Sequence, residues 1–235
     1  MGWYDAHMER GLALAEGEIY HLYNRGVEKR TIFADEADYQ RMVLLMYLCN
    51  SKTPVNIGAY LIRGFTYERL ASLDIDNRLI DIGAWCLMPN HFHILARQSH
   101  SEVGISKFML KVTTAYSMYF NKKYERVGSL MQGPFKAEHV HEDRYLQYLF
   151  SYIHLNPIKL APDGGTWKKN GIVDVRKGAA FLEEYQYSSL QDYMHPLRRV
   201  QSKIIKPEPF PWKFTSVRDM GRELNEWLTI RNNQG

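Results

Sequence analysis

Apolar and polar residues change their spacing several times along the first 160 positions, and each change marks an element. Residues 18–24 are aromatic and β-branched and run into Asn24-Arg25-Gly26, which reads as a strand closed by a turn. Tyr39, Met42, Val43, Met46 and Tyr47 recur at helical spacing within residues 35–48. Residues 51–78 contain Pro54, Gly58 and Gly64 and hold no clear period beyond a possible short helix over 67–73. Residues 79–87 read as a strand ended by Met88-Pro89-Asn90, and 91–97 resume as its hairpin partner. Ser101 is placed to cap a helix reaching about Tyr124, with Ile105, Phe108, Met109, Val112, Ala115 and Tyr119 on one side. Gly128 and Gly133-Pro134 break that pattern, and residues 135–140 form another strand. A last helix opens at Asp143 and runs through Tyr145, Leu146, Leu149, Phe150 and Ile153. It should stop at Asn156, because Pro157 disfavours helical geometry in the residue before it.

The resulting order is β-α-β-β-α-β plus one helix. Split βαβ units of this kind predict an α+β, ferredoxin-like fold: an antiparallel sheet with helices on one face and the first and third strands central. After Leu160 the regular pattern decays, and Pro162-Asp163-Gly164-Gly165 marks a boundary. Residues 1–160 are therefore read as one domain and 161–235 as an extension packed on it.

Composition narrows the class. At 235 residues and 45% hydrophobic the chain can bury a full core. Two cysteines, Cys49 and Cys86, are too few for a disulfide framework and fit a reducing cytoplasm. Residues 1–18 lack the basic-then-apolar pattern of a signal peptide, and no apolar run reaches membrane-spanning length. Net charge is only +4, but residues 103–213 hold 17 Lys/Arg against 10 Asp/Glu, so the rest of the chain is net acidic. A basic half interleaved with Tyr, Trp and Phe suits a nucleic-acid partner.

The chemistry concentrates in two places. His91 and His93 are two apart in a predicted strand, so their imidazoles share a face while Phe92 and Ile94 point to a core. Paired imidazoles suit a divalent metal. A bare pair is weak ground, since His139-Val140-His141 supplies a second one, read here as strand or groove residues. Tyr152 and Asn156 are four apart and share a helix face, so a phenol and a carboxamide can both reach a site on a neighbouring strand. Asn156 could offer its carbonyl oxygen as a third ligand, leaving positions open for substrate oxygens. Tyr116, Tyr119 and Tyr124 on the preceding helix are rival nucleophiles.

These residues resemble a known family. Met88-Pro89-Asn90-His91-Phe92-His93-Ile94-Leu95 is similar to the His-hydrophobic-His (HUH) motif of single-strand transposases of the insertion-sequence type. Tyr152-Ile153-His154-Leu155-Asn156-Pro157 resembles the nucleophile segment of the REP-associated tyrosine transposases. Tyr20 to Gly26 is similar to the family's opening strand, and Gln132-Gly133-Pro134-Phe135-Lys136 to its Gln-Gly-basic-aromatic-Lys segment. The resemblance covers about residues 18–160 and, more weakly, 185–190. Pro134 stands where the family usually has Arg, and the His139/His141 pair has no counterpart.

The resemblance implies that Tyr152 attacks a DNA phosphodiester and forms a 5′-phosphotyrosine, with Mg²⁺ or Mn²⁺ held by His91, His93 and Asn156. A metal-bound water or His154 is the candidate base. The implied partner is single-stranded DNA carrying a hairpin, such as a REP-like palindrome, bound by a monomer away from any membrane. Candidate DNA contacts are Arg25, Lys111, Lys122, Lys123, Lys136, Arg198 and Arg199, with Trp167 or Trp212 as stacking platforms. Two alternatives differ in class: a hairpin-binding module of the same fold that has lost cleavage, and a metal phosphoesterase that uses water in place of Tyr152.

Overall fold

A computed structural model describes residues 13–53, 56–75, 77–99, 103–162, 164–165, 167, 171–172, 174–196, 198–212 and 217–229. The elements are β1 (Ile19–Arg25), α1 (Glu36–Leu48), α2 (Ile57–Ile62), α3 (Tyr67–Ser72), β2 (Asp81–Met88), β3 (His91–Arg97), α4 (Gly104–Lys123), β4 (Lys136–His139) and α5 (Asp143–Leu155). A 3-10 turn over Asn156–Leu160 follows, and later helices span Val175–Glu184, Leu190–Met194 and Val217–Thr229. The sheet order is β2-β3-β1-β4 with every neighbour antiparallel, so the first and third strands are central.

Strand alternation sorts side chains between two layers. Tyr20, Leu22, Trp85, Leu87, Phe92, Ile94 and Ala96 point to one core, shared with α1 and α4. Ala84, Cys86, Met88 and Leu95 point to the other, shared with α5 and the helices after it. The two crossover helices thus lie on one face as the split βαβ pattern requires. The additional helix α5 extends that picture: it covers the opposite face. β2 is consequently buried along all of its length, which is why its sequence is apolar from Ile82 to Met88.

Local chemistry explains the helix ends. Asp35 accepts from the Asp38 amide while the Asp38 carboxylate accepts from the Asp35 amide, a reciprocal capping box that starts α1. Ser101, expected to cap α4, lies outside the described residues. The cap position is Val103, and the Gln98 side chain takes the Ile105 amide at 2.8 Å. Asn156 keeps right-handed helical angles (φ −54°, ψ −41°) despite preceding Pro157. Pro157 falls in the first turn of the 3-10 segment, where a missing N–H leaves no bond unmade.

Residues after 160 pack against α5 and along β2. The Leu87 amide donates to the Tyr187 carbonyl and the Ser189 amide to the Trp85 carbonyl, so residues 187–189 run antiparallel beside the outer margin of β2. Arg199 ties this strip down through the Gln186 and Ser188 carbonyls and the Asp192 carboxylate. Gly83 sits at a register shift between Ile82 and Ala84, under the ring of Phe210; a Cβ there would lie 2.8 Å from two ring carbons. Gly83→Ala is therefore expected to destabilise the fold by about 1–3 kcal/mol, read as a lowered urea midpoint at unchanged slope. An unchanged midpoint would mean the 206–212 segment yields without cost. Among the described residues, no helix is long and apolar enough to cross a membrane.

Candidate functional site

The pairing register builds the site. On the α5 side of the sheet Arg25 stands opposite His91, Tyr23 opposite both His93 and Lys136, and His21 opposite both Leu95 and Glu138. His91 and His93 therefore share a face with His21, Tyr23 and Glu138, and their rings lie 5.0 Å apart at 89°. α5 crosses above them. Its Tyr145, Tyr148 and Tyr152 form a ladder of nearly parallel rings, with centroids 6.1 and 5.9 Å apart. The ladder ends with Tyr152 over the histidines, 5.5 Å from the His93 ring and 6.5 Å from the His21 ring. One turn on, the fully buried Asn156 accepts the Lys159 ammonium on Oδ1 at 2.7 Å. The same ammonium stands 5.7 Å from the centre of the Tyr152 ring. The structure thus brings His91, His93, Tyr152 and Asn156 together.

Each imidazole is oriented through its Nδ1. His91 Nδ1 meets the Asn90 side-chain oxygen at 2.6 Å, and His93 Nδ1 shares a 2.9 Å hydrogen bond with His21 Nε2. A metal here would be taken by the two Nε2 atoms, the arrangement in which an outer partner fixes a ligating ring. Burial, reinforced by Lys159 and Arg25 and opposed by Asn156, pulls His91 down to about 4, so the ring is neutral at neutral pH. Among the described residues no three His, Cys, Asp or Glu side chains gather as a metal site. Two imidazoles and an amide oxygen are a sparse set, which fits an ion that completes its shell with water and phosphate oxygens. Asn156 Oδ1 already accepts a cation, the lysine's.

The rival tyrosines lie elsewhere. Tyr116 is buried and gives its hydroxyl to the Ile32 carbonyl, and Tyr119 and Tyr124 bond to Asp38, all in the layer of α1 and α4. His154 is not the base. It is fully buried, bonds Ser189 Oγ at 2.7 Å, and packs on Phe150, because residues two apart on a helix face different ways. Burial pulls it down to about 3. Unfolded, it titrates near 6.5, so the folded state is disfavoured as pH falls from about 6.5 toward 3. Between pH 7.5 and 5.0 the wild type should lose about 2 kcal/mol more than His154→Gln in urea unfolding. Identical pH slopes for the two proteins would contradict this.

Of the basic residues, Arg25 and Lys136 lie on the site face, Arg25 held by Gln132 Oε1 at 3.0 and 2.9 Å. Lys122 and Arg198 are exposed, Lys122 on α4 across the sheet from Tyr152. The other three have structural partners. Lys111 donates to the Ser51 carbonyl at 2.7 Å, Lys123 pairs with Asp35 and Asp38, and Arg199 makes the clamp described above. Trp167 is buried and so presents no stacking face, while the half-buried Trp212 stacks on Phe210 and meets Phe150 edge to face. His139 pairs with Glu18 and His141 with Glu142, away from Tyr152. His21, Glu138 and Lys159 were not legible as site residues; the one available signal was that His21 and Glu138 alternate onto the same face as the histidine pair.

Residues 65–156 match the family described as transposase IS200 like. The match covers 92 of the 235 residues. The matched segment takes in both histidines, all of α4 and the helix bearing Tyr152, and it ends on Asn156. No curated protein matches the chain. A solved structure of a REP-associated tyrosine transposase bound to a REP hairpin is similar at 12% identity, covering 83% of this chain and 90% of that one, with a TM-score of 0.49.

Proposed function

We propose that this chain is a single-stranded DNA endonuclease and strand transferase that acts on hairpin-forming DNA through a covalent tyrosine. The observation that carries the proposal is the convergence of Tyr152 with His91, His93 and Asn156 inside a segment of IS200-like transposase sequence. In the proposed step Tyr152 Oη attacks the scissile phosphorus. The bond from phosphorus to the 3′-oxygen breaks, a 5′-phosphotyrosine forms, and the phenolic proton ends on the departing 3′-hydroxyl. A phenol near pKa 10 ionises far more readily than an alcohol, and phenolate is the better leaving group, so the linkage can be reversed by an incoming 3′-hydroxyl.

A divalent ion, Mg²⁺ or Mn²⁺, held by His91, His93 and Asn156 would polarise the phosphate when bound. The chain's own charges assist. Lys159 near the Tyr152 ring adds positive charge where a phosphate would bind, and Arg25 beside His91 offers a phosphate contact. Lys136 extends the same basic strip. We take a DNA hairpin as the substrate, on the strength of the family resemblance and the basic strip, and include action as a monomer in a reducing cytoplasm, the setting that two unpaired cysteines suit. Incubating the protein with labelled hairpin oligonucleotides and Mn²⁺ tests the reading: a DNA adduct that survives SDS supports it. Hairpin binding that ignores chelator and leaves no adduct would identify a binding module instead.

A further inference from the structure

His93 is joined to a second imidazole and then to a carboxylate. His21, only 5% exposed, bridges the two: its Nε2 lies 2.9 Å from His93 Nδ1, and its Nδ1 faces Glu138 Oε2 at 3.5 Å. The second separation is an electrostatic contact rather than a short hydrogen bond. Glu138 is held from other sides as well, accepting the Tyr23 hydroxyl on Oε1 at 2.6 Å and the Tyr145 hydroxyl on Oε2 at 3.3 Å. A carboxyl group that only accepts is an ionised one. The register places His21 directly opposite Glu138, so the arrangement is fixed by strand pairing.

We infer that His21 and Glu138 are positioning residues that set the tautomer of His93 and so make its Nε2 a metal donor. The proton order follows from the carboxylate end. Facing an anion, His21 Nδ1 carries its proton. In the inferred order His21 is unprotonated at Nε2, where it accepts the proton of His93 Nδ1. His93 Nε2 is left carrying its lone pair toward the site. Such outer partners hold a ring in register and raise its basicity as a ligand. The inference rests on the reading of His93 as a metal ligand.

Two measurements on the full chain without DNA test it. Two-bond ¹H–¹⁵N correlations at neutral pH should show His93 of the wild type protonated on Nδ1. Glu138→Ala, a change on a half-exposed edge strand, should shift it toward the Nε2-protonated form. Mn²⁺ titration should show affinity falling about 10- to 100-fold in His21→Ala, with His21→Gln restoring much of it, since an amide can accept from His93 and donate to Glu138. Wild-type His93 protonated on Nε2 overturns the inference. So does His21→Ala that folds and binds Mn²⁺ as tightly as wild type while His93→Ala does not, and this outcome leaves the proposed function standing. A wild-type protein that takes up no Mn²⁺, with or without hairpin DNA, overturns the inference and removes the metal from the proposed function, whose covalent tyrosine the adduct assay tests separately.

Discussion

Tyr152→Phe is expected to reduce the covalent DNA adduct by at least about 10³-fold, the scale on which removal of a nucleophile acts. Hairpin affinity should change by less than about 3-fold, because the ring that packs against the His93 and His21 rings is kept. Stability should stay within about 0.5 kcal/mol, since only one hydroxyl is lost from a partly exposed residue. The combination distinguishes three mechanisms. A covalent tyrosine enzyme loses adduct and cleavage together. A phosphoesterase that activates water keeps cleavage in Tyr152→Phe and loses it in His91→Ala. A binding module has no cleavage to lose. An undiminished adduct in Tyr152→Phe would place the nucleophile elsewhere, and Tyr23 is the nearest alternative. That phenol is tied to Glu138, and burial together with the adjacent carboxylate pushes it well above its usual range, which makes it a poor nucleophile.

Removing the metal is the second large effect. Excess EDTA, or His91→Ala or His93→Ala, should lower the rate of adduct formation by about 10²–10³-fold, the range for losing one electrostatic stabiliser of a charged transition state. Binding of the hairpin should persist, because the phosphate contacts assigned to Arg25 and Lys136 do not depend on the ion. Mn²⁺ added back should restore the wild type and leave His93→Ala slow. Full-rate adduct formation in chelator would remove the metal from the mechanism and leave Arg25 and Lys159 as the charges acting on the phosphate.

How much of this was readable beforehand depended on the range of the interactions. The hairpin of β2 and β3 and the helices α1, α4 and α5 rest on local periods and caps, so their placement is close to the sequence reading. Strand and helix spacing each put two groups on one face, but it was the family resemblance that singled out the histidine pair with Tyr152 and Asn156. The fates of the lysines were not. Lys123 is neutralised by Asp35 and Asp38, which lie more than 80 positions away, and Lys111 is tied to the Cys49 and Ser51 carbonyls just past α1. A sequence displays the charge and not its partner. The same holds for His21, an ordinary strand residue until the register sets it between Glu138 and His93. The helix Val217–Thr229 was missed although Met220, Leu224 and Leu228 repeat every four residues and are buried, because the surrounding Trp, Pro and Lys/Arg masked a short signal.

The strip of residues 187–189 has a consequence for self-association. Outer strands of a sheet are the usual place where a second molecule adds by continuing the ladder, and a long one such as β2, apolar from Ile82 onward, is the most exposed to that hazard. Here the chain occupies that position with its own backbone and rivets it with a guanidinium. The opposite margin, β4, is four residues long and carries Lys136 and Glu138, which discourage stacking of copies. Loosening the rivet, for instance by Arg199→Ala, uncovers the apolar ladder, and the first symptom at high concentration is clumping rather than lost chemistry.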